Sequence, residues 1–260
     1  MNQTYTTRDG VTRTLGYAIE KEDREYLEEH GEEPRLLMQR FKNSFPVFNT
    51  DVNPLDILTI KDQGQVGSCQ GQSLAMIFTI CYFLATGRVE DFSAMAAYIL
   101  SQAEDGLLGK DVGSTLSGGQ AVARRGLCLE SAWPYTGRYD TRQPSGIEFP
   151  FKLSASKPTN DPEIIFEALE MGLPVQIGIA WTPEMDREHV TSYRGGRGGG
   201  HAVVWWLKYL INSWGSWNGD GMSTYERRAL EEIVNYPGNT FVIYAPDGME
   251  YPEVKPAGLE

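Results

Sequence analysis

Three polar side chains, Cys69, His201 and Asn212, stand in sequence contexts that suit nucleophilic chemistry. Cys69 begins a long apolar run and follows Gly67 and Ser68, so we place it at the N-terminus of a buried helix. The unpaired N–H groups at such a terminus favour a negative charge, and a nearby imidazolium favours it more. Because cysteine attacks as its thiolate, this position predicts a cysteine nucleophile with a lowered thiol pKa.

The surroundings of the histidine and the asparagine predict a base and the group that orients it. His201 follows three glycines and precedes an apolar run, a pattern typical of a strand with close backbone contacts. Asn212 follows a short apolar strand, and its side chain can accept a hydrogen bond that fixes the imidazole's angle and tautomer. The remaining histidines, His30 and His189, lie in polar sequence, and we interpret them as surface residues.

The elements that must position these groups differ between the two halves of the chain. In the first half, apolar runs that end near glycine predict helices over 69–86, 91–103 and 117–125. In the second half, short β-branched or aromatic runs predict strands over 149–153, 174–181, 201–206, 209–211 and 240–244, with one helix near 161–171. This order predicts an α+β fold with two lobes and a cleft between them.

The domain organisation that we predict is one main domain with an extension at each end. Residues 1–44 form the N-terminal extension, in which 20–40 are dense in charge and predict one or two short, mostly exposed helices, broken near Gly31 and Pro34. Two interpretations of this extension stay open, a surface-packed appendage and an inhibitory prosegment. The main domain covers 45–246, with a helical half over about 45–145 and a β-rich half over about 146–246, and 247–260 form a tail.

Composition narrows the classes of partner. The 260 residues include 35 Asp and Glu against 23 Lys and Arg, so the formal net charge is −12. Such a charge repels phosphate backbones and anionic lipid surfaces, so we expect neither nucleic acid nor a membrane as a partner. The polar N-terminus carries no secretory signal, so we expect a soluble, cytoplasmic protein. Packaging into a particle and export by a dedicated machine stay open.

The cysteine count predicts free thiols and no bound metal. Cys69, Cys81 and Cys128 are an odd, sparse set without CxxC spacing, which does not suit a disulfide framework. We interpret Cys81 and Cys128 as core residues. The three histidines lie far apart in sequence, so we expect no metal site and no cofactor.

Several motifs resemble the papain-like cysteine peptidase family, in the family's order, over roughly residues 58–222. Gln63 precedes Cys69 by six positions, as the family's oxyanion glutamine precedes its nucleophile. His201 and Asn212 follow Cys69 by 132 and 143 residues, within the separations of about 130–150 known for papain-like enzymes. Further matching segments are Asn-Ser-Trp-Gly at 212–215, Ser-Gly-Gly at 117–119, the run 126–135 and the glycine-rich run 214–221.

The resemblance implies a papain-like two-lobed fold, with a helical N-terminal half, an antiparallel β-rich C-terminal half and the active site between them. It implies that the Gln63 side chain and the Cys69 N–H form an oxyanion hole. Cys69 would attack the scissile carbonyl, and His201 would protonate the leaving amine. Asn212 would hold His201, and Trp214 would cover that hydrogen bond from water.

The resemblance also implies substrate-binding residues. Gly118 and Gly119 correspond to the double-glycine wall that pairs with the substrate backbone. Gly200 and Ala202 flank the histidine near the pocket for the second residue before the cut, where we expect apolar groups to be tolerated. Trp214 completes this predicted set of substrate-binding residues.

Three departures from the family pattern accompany these matches. Gln70 stands where an aromatic residue usually follows the nucleophile. Val66 and Leu116 stand where secreted members carry a disulfide pair, which fits a reducing compartment. The link from His201 to Asn212 is shorter than usual, so the sequence predicts a trimmed loop between two strands.

Three functions from different classes remain on the sequence alone. The first is a cysteine endopeptidase that hydrolyses protein or peptide substrates through an acyl-thioester on Cys69. The second is an amidase or acyl transferase on a non-protein substrate such as cell-wall peptide, which uses the same Cys–His pair. The third is a non-catalytic binding or assembly scaffold. The Asn-Ser-Trp-Gly element favours the first, Gln70 keeps the third open, and the oligomeric state is not set by the sequence.

Overall fold

The helices of the first half form where the sequence predicts them. The computed structural model describes residues 3–45, 48–196 and 198–246. In these ranges the α-helices are α1 (Arg24–His30), α2 (Pro34–Ser44), α3 (Cys69–Thr86), α4 (Ala94–Glu104), α5 (Leu116–Arg125), α6 (Pro162–Glu170) and α7 (Arg227–Val234). The side chains of Ser93 and Thr115 accept N–H groups of the first turns and fix the starts of α4 and α5.

The strands form two sheets. They are β1 (Gln3–Thr6), β2 (Thr12–Leu15), β3 (Leu153–Ala155), β4 (Val175–Ala180), β5 (His189–Val190), β6 (Gly200–Trp206), β7 (Tyr209–Ile211), β8 (Met222–Tyr225) and β9 (Thr240–Pro246). β1 and β2 pair as a separate hairpin, and the larger sheet has the order β3-β9-β4-β6-β7-β8-β5. Its pairings are antiparallel except for β5 with β8. The predicted α+β class is confirmed.

Helix α3 is the centre of the helical half and lies against the β-rich half through β6, β9 and β4. Gly71 allows α4 to approach closely, because a Cβ there would lie 2.6 Å from the Tyr98 nitrogen. Gly87 ends the helix in the left-handed region and donates its N–H to Phe83. By length and composition α3 is apolar enough to cross a membrane, but 83% of it is buried inside the protein. The burial is that of a core helix.

A tight hairpin carries two of the predicted active-site residues. β6 and β7 pair antiparallel up to Trp206 opposite Tyr209, so that only Leu207 and Lys208 form the turn. Leu207 adopts a positive φ of 56°, which lets the chain reverse in two residues. The predicted trimming of the loop between His201 and Asn212 is therefore confirmed.

The stretch 1–44 divides into two parts with different roles. Residues 3–23 cross the surface between the two halves, and we call them the strap. By contrast, α1 and α2 belong to the main core: Leu27 and Leu37 are 0% exposed, and Met38 and Phe41 are buried. The Glu32 backbone also bonds to β3 and the residues after it. Residues 24–44 are therefore part of the main domain, whereas the predicted tail 247–260 lies outside the described residues.

A pair of neighbouring leucines tests the placement of α2 in the core. Leu37→Ala should lower the free energy of unfolding by about 2–5 kcal/mol, because it leaves a cavity in a fully buried site. Leu36→Ala, on the same helix but 62% exposed, should change it by less than about 0.5 kcal/mol. Urea unfolding of both variants measures the difference. Equal, small effects would contradict the packing of α2 against the core.

Candidate active site

The thiol of Cys69 lies at the point where the start of α3 meets strand β6. Its Sγ accepts the Ala202 N–H at 3.3 Å, so it touches the residue that follows His201. The N–H groups of Gln70, in the helix's first turn, and of Gly16, in the strap, also face the sulfur. Backbone N–H groups therefore surround the thiol, as the predicted helix N-terminus requires.

His201 and Asn212 form the predicted orienting pair. The distance from His201 Nε2 to Asn212 Oδ1 is 2.8 Å, and both side chains are fully buried. The same Oδ1 accepts the Ser213 N–H at 2.7 Å, which fixes the amide's orientation. Nε2 therefore donates to the amide oxygen, and Nδ1 has no hydrogen-bond partner among the described residues. Nδ1 is thus the nitrogen left to act as a base.

Two indole rings shield the imidazole from water. Trp214 stacks on His201 with ring centroids 4.5 Å apart and 28° between the planes. Trp181, directly after β4, meets the imidazole edge to face at 4.9 Å. The Trp214 position agrees with its predicted covering role. Sequence reasoning missed Trp181, because no motif marks it and only the pairing of β4 with β6 brings it there.

The amide of Gln63 is held in a fixed orientation with one N–H directed into the cleft. Its Oε1 accepts the Ser213 hydroxyl at 2.8 Å, and its Nε2 donates to the Val66 carbonyl at 3.0 Å. The second hydrogen of Nε2 is donated to the Thr14 carbonyl of the strap at 2.8 Å. Sequence reasoning missed the positioning role of Ser213, although this residue lies inside the Asn-Ser-Trp-Gly motif.

The strap passes directly through the cleft. The Tyr17 N–H donates to the Gly200 carbonyl at 3.0 Å. Ser114, opposite, donates its N–H to Gly16 at 3.1 Å and accepts the Ala18 N–H at 3.0 Å. The strap therefore occupies the space between Gly200 and Ser114, whereas the Ala202 N–H faces Cys69.

Three glycines make this close passage possible. A Cβ on Gly16 would lie 1.9 Å from the Gly67 oxygen, next to the nucleophile's loop. A Cβ on Gly113 would lie 2.4 Å from the Gly16 oxygen, and Gly113 also has a positive φ of 91°. Any side chain at residue 16 would therefore force the strap out of its present position.

A buried carboxylate anchors the hairpin at the start of the strap. Asp186 is 4% exposed and accepts the Arg8 N–H at 2.5 Å and the Tyr5 hydroxyl at 3.4 Å. Its other oxygen accepts the indole N–H of Trp217 at 2.6 Å. Hairpin β1–β2 is therefore tied to the β-rich half on one side of the thiol.

The structure places Gly118 and Gly119 differently from the predicted wall. Both lie in the first turn of α5, and their N–H groups bond to Thr115. A Cβ on Gly118 would lie 2.5 Å from Asp105, and one on Gly119 would lie 2.0 Å from the Gln70 amide. These glycines thus make room for interior side chains, and Gly113 and Ser114 supply the backbone that faces the cleft.

The unusual Gln70 belongs to the same interior arrangement. Its side chain is fully buried, and its Oε1 accepts the Ser114 hydroxyl at 2.9 Å. Its backbone carbonyl accepts the side-chain amide of Gln176 on β4 at 3.2 Å. Gln70 therefore connects the nucleophile's helix to the cleft wall and to the sheet. It does not replace the usual aromatic residue on the cleft floor.

Burial under the strap keeps both reacting groups neutral. The predicted lowering of the Cys69 thiol pKa is wrong for this closed form: desolvation raises it to about 12, although the N–H groups of Ala202, Gly16 and Gln70 partly oppose the shift. Desolvation also lowers the pKa of His201 to about 4, against the opposing effect of Asn212. Between these values the pair is a thiol and a neutral imidazole, which is the unreactive form of a cysteine nucleophile.

A metal centre is not assembled by the side chains in the described ranges. These ranges contain no group of three or more His, Cys, Asp or Glu side chains placed to hold a metal ion.

Several solved structures that are similar to this chain are described as cysteine proteases or their proforms. Xylellain, a cysteine protease from Xylella fastidiosa, matches 95% of this chain and 98% of its own with a TM-score of 0.63 and 18% identity. The Carica candamarcensis cysteine protease CMS1MS2 matches 76% of this chain and 99% of its own, with a TM-score of 0.57 and 20% identity. Procathepsin L 3 of Tenebrio molitor matches 85% of this chain and 77% of its own, with a TM-score of 0.58 and 20% identity. No family model and no curated protein matches the sequence. The chain has the papain-like fold, as its motifs predict.

The pH dependence of Cys69 alkylation tests the neutral pair. In the intact chain, a small haloacetamide should label Cys69 slowly, and the rate should still be rising at pH 9 because the thiol pKa is raised to about 12. Gly16→Val should displace the strap and let Cys69 react below pH 6. Mass analysis locates the label, and Thr4→Val, at an exposed strap position on β1, is the control. Fast labelling of the intact chain at pH 6 would contradict burial by the strap.

Proposed function

We propose that this chain is a cysteine endopeptidase that the strap holds in a latent form. The observation that supports it most is the arrangement around Cys69. The thiol lies at a helix N-terminus beside the strand that carries His201, and Asn212 fixes the imidazole. One N–H of Gln63 is directed at a peptide carbonyl in the cleft. These are the groups that thiol attack on a peptide bond requires.

The reaction starts when the strap leaves and water reaches the site. Loss of desolvation lets a proton pass from the Cys69 thiol to Nδ1 of His201, so that a thiolate and an imidazolium form together. The thiolate then bonds to the substrate's carbonyl carbon, and the carbonyl electrons move to oxygen. The side-chain N–H of Gln63 and the backbone N–H of Cys69 stabilise this oxyanion.

Two proton transfers complete the cycle. The imidazolium of His201 protonates the leaving amine as the C–N bond breaks, which leaves an acyl-thioester on Cys69. His201, neutral again, takes a proton from water as the water oxygen attacks the thioester carbonyl. The C–S bond then breaks, its electrons go to the Cys69 sulfur, and the carboxylic acid leaves. The Cys69 thiolate and the His201 imidazolium are thereby restored. Asn212 keeps the ring in place throughout because Nε2 donates to it at 2.8 Å.

The groups that bind the strap are suited to bind an extended peptide. Ser114 offers one N–H and one carbonyl, and Gly200 offers a carbonyl, all on backbone that lines the cleft. These contacts are independent of sequence, which suits protein or peptide substrates of varied composition. The strap and a substrate therefore compete for the same donors and acceptors.

The strap is placed to block catalysis rather than to be cut. The Gly16 N–H faces the sulfur, and the Gly16 carbonyl accepts the Ser114 N–H on the wall. One of the similar structures is by its own description a procathepsin, and it also matches 85% of this chain. This likeness supports a latent form here.

Loss of the nucleophile tests the proposal. In the full chain with Gly16→Val, we expect cleavage of an unfolded protein substrate, and adding Cys69→Ala should abolish it while the fold is kept, because Ala suits a helix. Adding Cys128→Ala, at the end of the helical half, should leave cleavage in place. Peptide products are measured by mass. Cleavage that survives Cys69→Ala would overturn the mechanism.

The oxyanion role of Gln63 makes a separate prediction. In the full chain with Gly16→Val, adding Gln63→Ala should lower kcat by about 10²–10³ with little change in KM, because the lost donor acts on the transition state. Adding Gln65→Ala is the control, since within the described residues that side chain bonds to the strap carbonyl of Thr12. A pure KM effect would limit Gln63 to substrate binding. A reactive Cys69 with no peptide cleavage would favour the amidase or scaffold alternatives.

A further inference from the structure

Two loops of the helical half meet the strap beside the thiol. Residues 64–68, directly before α3, form the first, and we call them the nucleophile loop. Residues 105–115, between α4 and α5, form the second, and we call them the wall loop. An added Cβ on Gly67 would lie 3.3 Å from the Gly113 nitrogen and 3.6 Å from Cα of Gly16. The backbones of both loops and of the strap are therefore in close contact at this point.

The side chain of Asp111, in the wall loop, joins the two loops. Its Oδ1 accepts the Gly67 N–H at 2.9 Å and the Tyr98 hydroxyl at 2.8 Å. The same hydroxyl accepts the Gly113 N–H at 3.2 Å. One carboxylate oxygen thus holds the nucleophile loop directly and holds the cleft side of the wall loop through a tyrosine.

Helix α4 gives this connection a rigid base. Tyr98 and Gln102 lie one turn apart on α4, and both are 0% exposed. The Gln102 amide nitrogen lies 2.8 Å from the carbonyls of Lys110 and Gly113 and 3.0 Å from the Tyr98 hydroxyl. The chain is therefore tied to α4 on both sides of Asp111, which fixes the place where the carboxylate meets the nucleophile loop.

The position of the wall loop matters because Ser114 directly follows Gly113. Its backbone N–H and carbonyl bond to the strap in the closed form, and the proposed function assigns the same two groups to a substrate backbone. A peptide held there reacts only if the wall loop lies in the right place relative to Cys69, and a misplacement of about 1 Å can cost about 10² in rate.

We infer that Asp111 is a positioning residue that holds the substrate-binding wall loop in place beside the nucleophile. The inference rests on the proposed peptidase function and names a residue on which substrate binding at that site depends. The hydrogen bonds of Asp111 go to Gly67 and Tyr98, so it acts through these residues. Because a wall loop binds the substrate backbone in the ground state and in the transition state alike, its displacement should raise KM more than it lowers kcat.

The first experiment measures this split between KM and kcat. In the full chain with Gly16→Val, adding Asp111→Ala should raise KM for a peptide at least about tenfold, with a smaller change in kcat. Adding Asp111→Asn should keep KM within about threefold, because its Oδ1 can accept the same two hydrogens. Asp140→Ala is the matched control, since that surface carboxylate pairs with Arg142. Asp111→Ser serves if the alanine variant fails to fold.

A second variant tests the path through α4. In the released enzyme, Tyr98→Phe keeps the ring and removes the hydroxyl, so it should also raise KM. Combined with Asp111→Ala it should raise KM little further, because residues in one hydrogen-bond network are not additive. Urea unfolding of each variant separates this from general stability: a merely structural role would lower the free energy of unfolding and leave the KM of the folded enzyme unchanged.

A third experiment does not require catalysis. A peptide that protects Cys69 from haloacetamide in the released enzyme should need an at least about tenfold higher concentration after Asp111→Ala, in parallel with KM. In the otherwise intact chain, Asp111→Ala should speed Cys69 labelling, because Gly67 and Gly113 also contact the strap at Gly16. Asp111→Asn should keep both values near those of the parent.

The outcomes separate the two proposals. Cleavage with KM and protection unchanged by Asp111→Ala would overturn the inference while the peptidase function stands. An equal rise of KM in Asp111→Asn or in Asp140→Ala would also overturn it, because the two accepted hydrogen bonds would then not be the cause. Protection that Asp111→Ala weakens and Asp111→Asn keeps, without cleavage by any variant, would support the positioning role and overturn the peptidase function.

Discussion

The candidate active site depends on the contact between the first turn of α3 and strand β6. A thiol and an imidazole react only if separate elements hold them together, and here the Ala202 N–H meets Cys69 Sγ at 3.3 Å. Packing fixes the positions of both elements, because α3 is buried on all sides and β6 lies between β4 and β7 in the sheet. Asn212 and Gln63 are then placed by short connections, the two-residue turn after β6 and the loop before α3.

The strap completes a hydrogen-bonding surface that would otherwise be unsatisfied. A buried donor or acceptor without a partner costs about 1–3 kcal/mol. In the closed form the strap provides partners for the second N–H of Gln63, the carbonyl of Gly200 and both backbone groups of Ser114. After release these groups face water or a substrate backbone. In the peptidase function that we propose, the strap and a substrate therefore use one set of hydrogen-bonding groups.

The sequence predicts the reacting groups better than the walls around them. Cys69, His201 and Asn212 can be found because each stands at the end of a regular element with a marked pattern, and the bounds of α3 follow from its apolar run and Gly87. The predicted position of Gly118 and Gly119 on the cleft wall is wrong, because the sequence of a glycine pair is the same on a cleft wall and in a packed helix. What decides between these two positions is the contact with Asp105 and Gln70, on other elements.

The passage of the strap through the cleft could not be predicted for a related reason. Residues 12–23 carry no motif that marks a segment bound in a cleft. Their fit depends on glycines at 67 and 113, whose closeness to Gly16 exists only in the folded chain. The buried leucines of α1 and α2 were hidden in the same way, because a charge-rich sequence suggested an exposed appendage. The local sequence pattern predicts helices and strands, whereas long-range packing decides which residues contact each face of them.

Closure of the strap and the charge state of the site are linked. The closed form favours neutral His201, whose pKa falls from 6.5 to about 4 because burial removes its solvent. The open form therefore binds a proton more readily than the closed form, and lowering the pH from about 6.5 towards 4 favours opening. Above pH 6.5, the stabilisation of the closed form by neutral His201 is fully present. At high pH the raised pKa of Cys69 has a corresponding effect, because formation of the thiolate also favours the open form. The latent form that we propose is thus most stable where both groups are neutral.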